Sequence, residues 1–352
     1  MTLPAPDATP RMRAAFLRAL GGPEQIEVGD LPVPRPRAGE VLLAVRASSL
    51  DPVDALVRSG AFPTGTPFPF VLGRDAVGTV IDAGTGAEDL LGRRMATSSL
   101  GHDGRQGAWA SAAVVPRERL YPVPEEVEDA VLAAALHPAS TAHLALHRHG
   151  RLVAGETVLV VGGAGNVGGA LVAEAARCGA RVVATARRRD AERVRALGAP
   201  GTAGTETGTR RDDGAGTVTT VDHTDTDAAD QLRELLGGRA DIVVDTSGRL
   251  DPELVADLMA VRGRIVVIAA PPSPPRIPLA RLYTRDVSLH GFVISRATVE
   301  ELADAARGTM RLLQETPWRP RITRTVGLGA ARSLHEALDA HAVDGRVVVL
   351  PT

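Results

Sequence analysis

Between Arg13 and about Pro124 the chain alternates short β-branched runs with Gly, Pro and Asp. Val41-Leu42-Leu43-Ala44-Val45-Arg46 and Ala76-Val77-Gly78-Thr79-Val80-Ile81 read as strands bounded by turn residues. Pro32, Pro34 and Pro36 punctuate the approach to the first of them and predict extended loop. Many short strands with such turns predict a barrel-like or sandwich domain.

The pattern changes after Tyr121-Pro122-Val123-Pro124. Glu125 to His149 has helical spacing, with Val131, Leu132, Ala135 and Leu136 followed by Leu144 and Leu146. Thr157-Val158-Leu159-Val160-Val161 is a continuous apolar run of the kind buried on both faces of a parallel sheet. Further strands are predicted at Arg181–Thr185, Asp241–Asp245, Gly263–Ile268 and Val287–Phe292, with helices between them. Alternation of this kind predicts a doubly wound parallel sheet. Residues 200–220 interrupt it with a Gly/Thr-rich stretch that lacks large apolar groups and reads as a mobile surface insertion. Thr298 to Leu313 reads as an amphipathic helix. Gly345–Leu350 reads as a strand returning to the first domain.

Composition narrows the class of protein. The 352 residues carry 40 basic and 42 acidic side chains, a net charge of −2, and every basic residue is arginine. Aromatics make up 3%. Neither a basic footprint nor a stacking ladder for nucleic acid is present. The single cysteine, Cys178, excludes an intramolecular disulfide and a four-cysteine zinc site. No run approaches the roughly 20 apolar residues of a membrane span. Residues 1–11 lack a signal-peptide pattern and read as a disordered lead-in. A soluble cytoplasmic protein of two domains is expected.

Gly163-x-Gly165-x-x-Gly168 lies between the buried run at 157–161 and an Ala-rich helical pattern. In that context glycines permit a tight turn and close approach of a pyrophosphate, and the helix N-terminus offers free N–H groups to it. Gly163, Gly165, Asn166, Val167 and Gly168 are therefore candidate nucleotide-binding residues. An NAD-preferring site places a carboxylate roughly 20 residues on. Here that count reaches Thr185, with Arg187, Arg188 and Arg189 just beyond. A neutral residue followed by arginines suits a 2′-phosphate, hence NADPH, although arginines at a solvated helix start would look the same.

With these motifs in view the chain resembles the zinc-independent, quinone oxidoreductase-like and enoyl reductase-like branch of the medium-chain dehydrogenase/reductase superfamily. The resemblance runs from Arg13 to Leu350 through Gly39-Glu40-Val41-Leu42, Asp51-Pro52-Val53-Asp54, Leu72-Gly73-Arg74-Asp75, Gly107-Ala108-Trp109-Ala110 and Ser140-Thr141-Ala142, and closes on Asp245-Thr246-Ser247-Gly248. It implies an α/β protein with a GroES-like β-rich catalytic domain at 12–124, a Rossmann domain at 125–294, and a segment at 295–352 completing the catalytic domain. It also implies an active site in the cleft and a homodimer paired through strand 287–293.

The zinc-dependent relatives place cysteine where this chain has Ser48 to Leu50, and His-Glu where it has Arg74-Asp75, so no zinc is expected. His143 and His147 have metal-binding spacing but no third ligand in the sequence around them and read as packed or solvated. The chemistry implied is hydride transfer from NADPH to a quinone or α,β-unsaturated carbonyl, with an enolate to be stabilised and protonated. Phe62 occupies the position of the proton-donating tyrosine of the enoyl reductases, and Asp51 that of the family's Asn. Thr141 matches a threonine lining the nicotinamide pocket. Tyr283 is a further candidate donor or a packed aromatic, and Asp54 is either catalytic or the residue fixing the turn before Ala55. An alternative is a non-redox or inactive protein of the same fold that retains NADP(H).

Overall fold

The structure, a computed structural model, describes residues 10–199, 216–237, 239–249, 251–269 and 273–351. The expected lead-in at 1–9 and the expected insertion at 200–215 lie outside these residues. Of the rest of the expected insertion, Val218–Val221 is a strand. Arg11, placed in the lead-in, opens the strand Arg11–Leu17.

The chain divides into two units, 1–137 with 320–352, and 138–319. The expected boundaries, 124/125 and 294/295, differ from these. Helix Val299–Glu315 belongs to the second unit because its apolar stripe, Leu302, Ala305, Ala306, Leu312 and Leu313, is buried, and because Thr309 Oγ1 lies 3.2 Å from Ser140 Oγ. A reciprocal capping box starts it: Glu301 N donates to Thr298 Oγ1, and Thr298 N to Glu301 Oε2.

The first unit is GroES-like and β-rich. Its main sheet runs in the order Ile322–Gly327, Arg346–Leu350, Glu40–Ser49, Ala76–Ala83, Arg94–Thr97, Leu120–Pro122, and Ala112–Pro116 also pairs with Glu40–Ser49. A smaller sheet joins Ile26–Pro32, Arg11–Leu17 and Phe70–Val71. The C-terminal strand is integral to this unit: Val347 and Val349 enter one apolar cluster with Leu17, Phe70, Trp109 and Leu334.

The second unit is Rossmann-like. Six strands, all parallel, lie in the order Val218–Val221, Arg181–Thr185, Thr157–Val161, Ala240–Asp245, Met259–Val267, Ser288–Gly291. The apolar runs at 157–161 and 181–185 are almost wholly buried, as two-sided coverage demands. Strand order reverses between Thr157–Val161 and its neighbour Ala240–Asp245, the switch point at which doubly wound sheets bind ligands.

The helix leading into this unit, Asp129–His143, carries Pro138 in its interior. Proline has no N–H to return to the carbonyl four residues back, Ala134 O. Arg346 Nε takes that place at 3.0 Å. The last turns, Leu144–His149, open into π geometry, with Gly150 N bonded to Ala145 O. Among the described residues no helix is long and apolar enough to cross a membrane.

Candidate functional site

In the second unit the glycine loop connects strand Thr157–Val161 to helix Asn166–Arg177. Gly162 opens the turn at φ +89°, a conformation that glycine adopts without strain. A Cβ on Gly168 would lie 2.0 Å from Gly162 O, so helix and turn can approach only through glycine. Gly165 is the helix N-cap, and Asn166 and Val167 form the first turn, where backbone N–H groups have no helical partner. Thr185 is buried and its Oγ1 accepts from Gly162 N at 2.9 Å. This hydroxyl therefore shapes the loop. Thr246 Oγ1 donates to Val161 O, and Asp245 Oδ1 accepts from the N–H and hydroxyl of Ser247.

These strand ends border a cavity of about 730 Å³ with apolar walls from Leu159, Leu232 and Val255 and a polar mouth at Arg187, Asp225 and Ser247. Apolar walls with a few polar groups at the rim suit a nucleotide. The three arginines differ. Arg188 pairs with Asp225 at 3.2 Å and Arg189 lies 3.6 Å from Asp190. Arg187 lines the cavity and has no carboxylate partner among the described residues. Gly162, Thr246 and Ser247 extend the set that the fingerprint predicts.

The remaining candidates separate. Thr141 is buried in helix Asp129–His143. Tyr283 ends the short helix Leu279–Tyr283 and is 77% exposed, so it is not a packed aromatic. Phe62 packs against His102, ring centroids 5.4 Å apart, and against the cluster around Trp109. Asp54 sits at the third position of helix Pro52–Ser59, where its Oδ2 accepts from Asp51 N at 2.8 Å, a capping box.

Asp54 also joins a buried charge cluster of the first unit that sequence reasoning missed. Arg346 Nη1 donates to Asp51 Oδ1 at 2.8 Å and Nη2 to Ser49 Oγ at 2.8 Å. His137 Nδ1 lies 3.6 Å from Asp75 Oδ2 and 3.9 Å from Asp51 Oδ2. Ser48 Oγ donates to Asp75 O, and Arg74 is buried in the same region. Burial resists charge on Asp51, but Arg346 and His137 hold its carboxyl down, to about 2. Burial and then the Asp51 charge push Asp54 up to about 7. Burial opposes protonation of His137, yet Asp51 and Asp75 raise its pKa. Nothing in the local sequence around Arg346 or His137 marks them, since their partners come from distant segments.

Two family models match: the alcohol dehydrogenase GroES-like domain over residues 37–125 and the zinc-binding dehydrogenase model over 166–308. The quinone oxidoreductase of Lama guanicoe is 28% identical over 344 residues, 96% of this chain and 97% of its own. A solved NAD-dependent alcohol dehydrogenase is 30% identical, with a TM-score of 0.78 over 97% of this chain and 100% of its own. The mycobacterial protein Rv1454c, solved in complex with NADPH, is 29% identical, with a TM-score of 0.75 over 97% and 100%. The fold is thus a GroES-like unit with a Rossmann-like unit. The chain belongs to the medium-chain dehydrogenase/reductase superfamily, among its quinone oxidoreductase-like members, and is an oxidoreductase of that family.

The zinc of the family's metalloenzymes does not fit the buried cluster. Ser48 and Ser49 present hydroxyls already engaged with Asp75 O and Arg346, and Arg74 brings a guanidinium. Asp51 is neutralised by Arg346, so a dication would meet positive charge that is already in place. A nicotinamide nucleotide fits the second unit: glycine-loop N–H groups for its pyrophosphate, an apolar cavity for its base and Arg187 at the rim.

Proposed function

We propose that the protein is an NADPH-dependent reductase of quinones or α,β-unsaturated carbonyls working without a catalytic metal. The observation that carries the cofactor choice is Arg187, which borders the nucleotide cavity with its guanidinium uncommitted while the strand beside it ends in Thr185 rather than a carboxylate. Arginine donates two parallel N–H bonds to a phosphate, and the 2′-phosphate of NADPH offers the accepting oxygens that NAD lacks. The complex of Rv1454c with NADPH and the quinone oxidoreductase relatives support the reading.

When bound, the nicotinamide supplies a hydride; the chain must provide binding, orientation and a proton. Glycine-loop residues Gly163, Gly165, Asn166, Val167 and Gly168 hold the pyrophosphate, with Thr185 fixing the turn and Thr141 beside the nicotinamide. Phe62 contributes an apolar wall and no proton. His137 holds a proton at Nδ1 between two carboxylates, with a side chain 16% exposed, and is the chain's own acid where Phe62 cannot serve. Asp54 supports it by capping the helix behind Asp51. Tyr283, being exposed, is the weaker donor. Edge strand Ser288–Gly291 offers unpaired backbone groups through which two copies can join, a homodimer that light scattering checks.

Phe62 favours a second reading, a non-redox or inactive member of the fold that retains NADP(H), because it removes the hydroxyl donor. Loss of NADPH absorbance against a panel of quinones and enones separates the two. Turnover with at least one acceptor is expected, falling in His137→Gln. NADPH binding without oxidation by any acceptor would overturn the reductase and leave the second reading standing.

A further inference from the structure

We propose that His102 binds the carbonyl oxygen of the acceptor, a flat conjugated compound lying along Phe62, as a neutral hydrogen-bond donor. The inference rests on the reductase reading and deepens it: the donor that Phe62 lacks comes from the side chain packed on it.

His102 stands in loop 98–107, between strands Arg94–Thr97 and Ala112–Pro116. The loop holds two non-glycine residues in the left-handed region, Ser99 at φ +57° and Asp103 at φ +50°, besides Gly101 and Gly104. A side chain crowds that conformation, which persists where the surroundings enforce it and clusters at functional sites. The enforcing bonds are in place at both ends of the loop. Ser99 N donates to Asp75 Oδ1 at 3.2 Å, and Leu100 N to Arg74 O at 2.9 Å. Gly104 N donates to Thr64 O at 3.3 Å, Thr66 Oγ1 to Arg105 O at 3.1 Å, and Val71 N to Gln106 Oε1 at 2.7 Å. One end is thereby tied to the buried charge cluster and the other to the segment just past Phe62.

What this tying delivers is the ring of His102 against the ring of Phe62, centroids 5.4 Å apart and planes tilted by 33°. His102 is 5% exposed, and its Nδ1 has no hydrogen-bond partner among the described residues. Asp103 Oδ2 approaches Nδ1 to 3.4 Å without reaching bonding geometry, and its charge favours the tautomer that carries the proton there. A buried N–H left unbonded costs free energy, which an acceptor oxygen placed against it recovers. Burial holds the pKa of His102 below the ordinary histidine value; Asp103 opposes this, and Arg74 and Arg105 add to it. The ring is therefore neutral near pH 7, with one N–H to give. Such a donor bonds a carbonyl oxygen in the ground state and stabilises the negative charge that hydride addition places on it. No proton leaves His102 in this step, so protonation stays with His137. An apolar ring face beside a single directed donor selects flat conjugated carbonyl compounds.

The test is steady-state reduction of quinones and enones by NADPH, 1,4-benzoquinone and 2-cyclohexen-1-one among them, on the full-length protein, with NADPH affinity titrated separately. His102→Phe keeps an aromatic ring on Phe62 and removes the donor, whereas His102→Gln keeps a donor and removes the ring. Binding through the donor predicts kcat/KM about 100-fold lower in His102→Phe and within about tenfold of the parent in His102→Gln. NADPH affinity should be unchanged in both. A packing role predicts the reverse order, and that order, or a His102→Phe as active as the parent, overturns the proposal. If one variant fails to fold, the other decides alone against the same limits; if neither folds, His102 is a packing residue and the proposal falls. A parent that oxidises NADPH with no acceptor removes the reductase reading and this inference with it. Parental turnover that both variants retain removes the role of His102 alone.

Discussion

The two units build their chemistry in opposite ways. In the Rossmann-like unit the cofactor loop is nearly contiguous: a strand, five residues of turn and first helical turn, and a second strand ending at Thr185, all within about thirty residues. In the GroES-like unit the buried charges come from Asp51, Asp75, His137 and Arg346, and the bond from Arg346 to Ser49 spans 297 residues of sequence. The first arrangement is a backbone device whose cost of failure falls on binding. The second is an electrostatic device whose failure falls on the fold.

Breaking the second arrangement should have the largest effect. Arg346 closes on Asp51, on Ser49 and on the carbonyl that Pro138 leaves without a donor, and it is 3% exposed. Arg346→Met should cost about 3–5 kcal/mol, the range for removing one partner of a buried pair, because Asp51 is left charged and uncompensated. Asp51→Asn in the same chain should recover part of that loss, since neighbouring sites do not add. Urea denaturation of the two variants checks both; a loss under 1 kcal/mol would mean that the pair is not a determinant of stability.

This contrast also governs what could be read from residues alone. The runs at 157–161 and 181–185 coincide with the observed strands because two-sided burial writes itself as consecutive apolar residues. The glycine spacing was legible for the same local reason, though the positive-φ position is Gly162, one residue before the fingerprint. Helix Val299–Glu315 was legible as a helix but not as part of the second unit, since periodicity marks a buried stripe and not what covers it. His143 and His147 lacked a visible third partner because Glu174 arrives from the next helix. Arg346 gave no sign at all in a chain whose basic residues are all arginine.

The backbone device is broken by one methyl group. Gly168→Ala would set a Cβ 2.0 Å from Gly162 O, against main chain that cannot rotate away. The turn must open, and NADPH affinity should fall roughly 100-fold, or about 3 kcal/mol. Gly329→Ala, whose Cβ would meet nothing within 4 Å, should leave affinity unchanged. Fluorescence titration compares them, and equal affinities would show that the loop does not carry the nucleotide.

A smaller effect appears as a slope with pH. Asp54 is raised in the fold from 3.8 to about 7, so the folded protein holds its proton more tightly than the unfolded chain does. The stability this confers is complete below about 4 and is lost as pH rises through 7. Asp51, lowered to about 2, acts oppositely: its contribution is present above 3.8 and is lost as pH falls through 2. In Asp54→Asn the amide oxygen can still accept from Asp51 N, while the titration is gone. Melting temperature from pH 4 to 7 should therefore decline less steeply than in the parent, and an unchanged slope would assign that pH dependence to other groups.

The smallest change separates side chain from backbone within the cofactor site itself. Arg187 and Arg188 are adjacent and both exposed, yet only Arg188 is committed to Asp225, while Arg187 borders the cavity. If the 2′-phosphate is read by the uncommitted guanidinium, Arg187→Ala should weaken NADPH about tenfold, near 1.4 kcal/mol, and leave NADH alone. Arg188→Ala should alter both cofactors little, since its charge already has a partner. Titrating both cofactors against both variants isolates the effect of position from that of charge, because each substitution removes one arginine from the same turn. A parallel loss of NADPH affinity in the two variants would mean that the turn acts only as diffuse positive charge. An unchanged preference in Arg187→Ala would remove the 2′-phosphate assignment altogether.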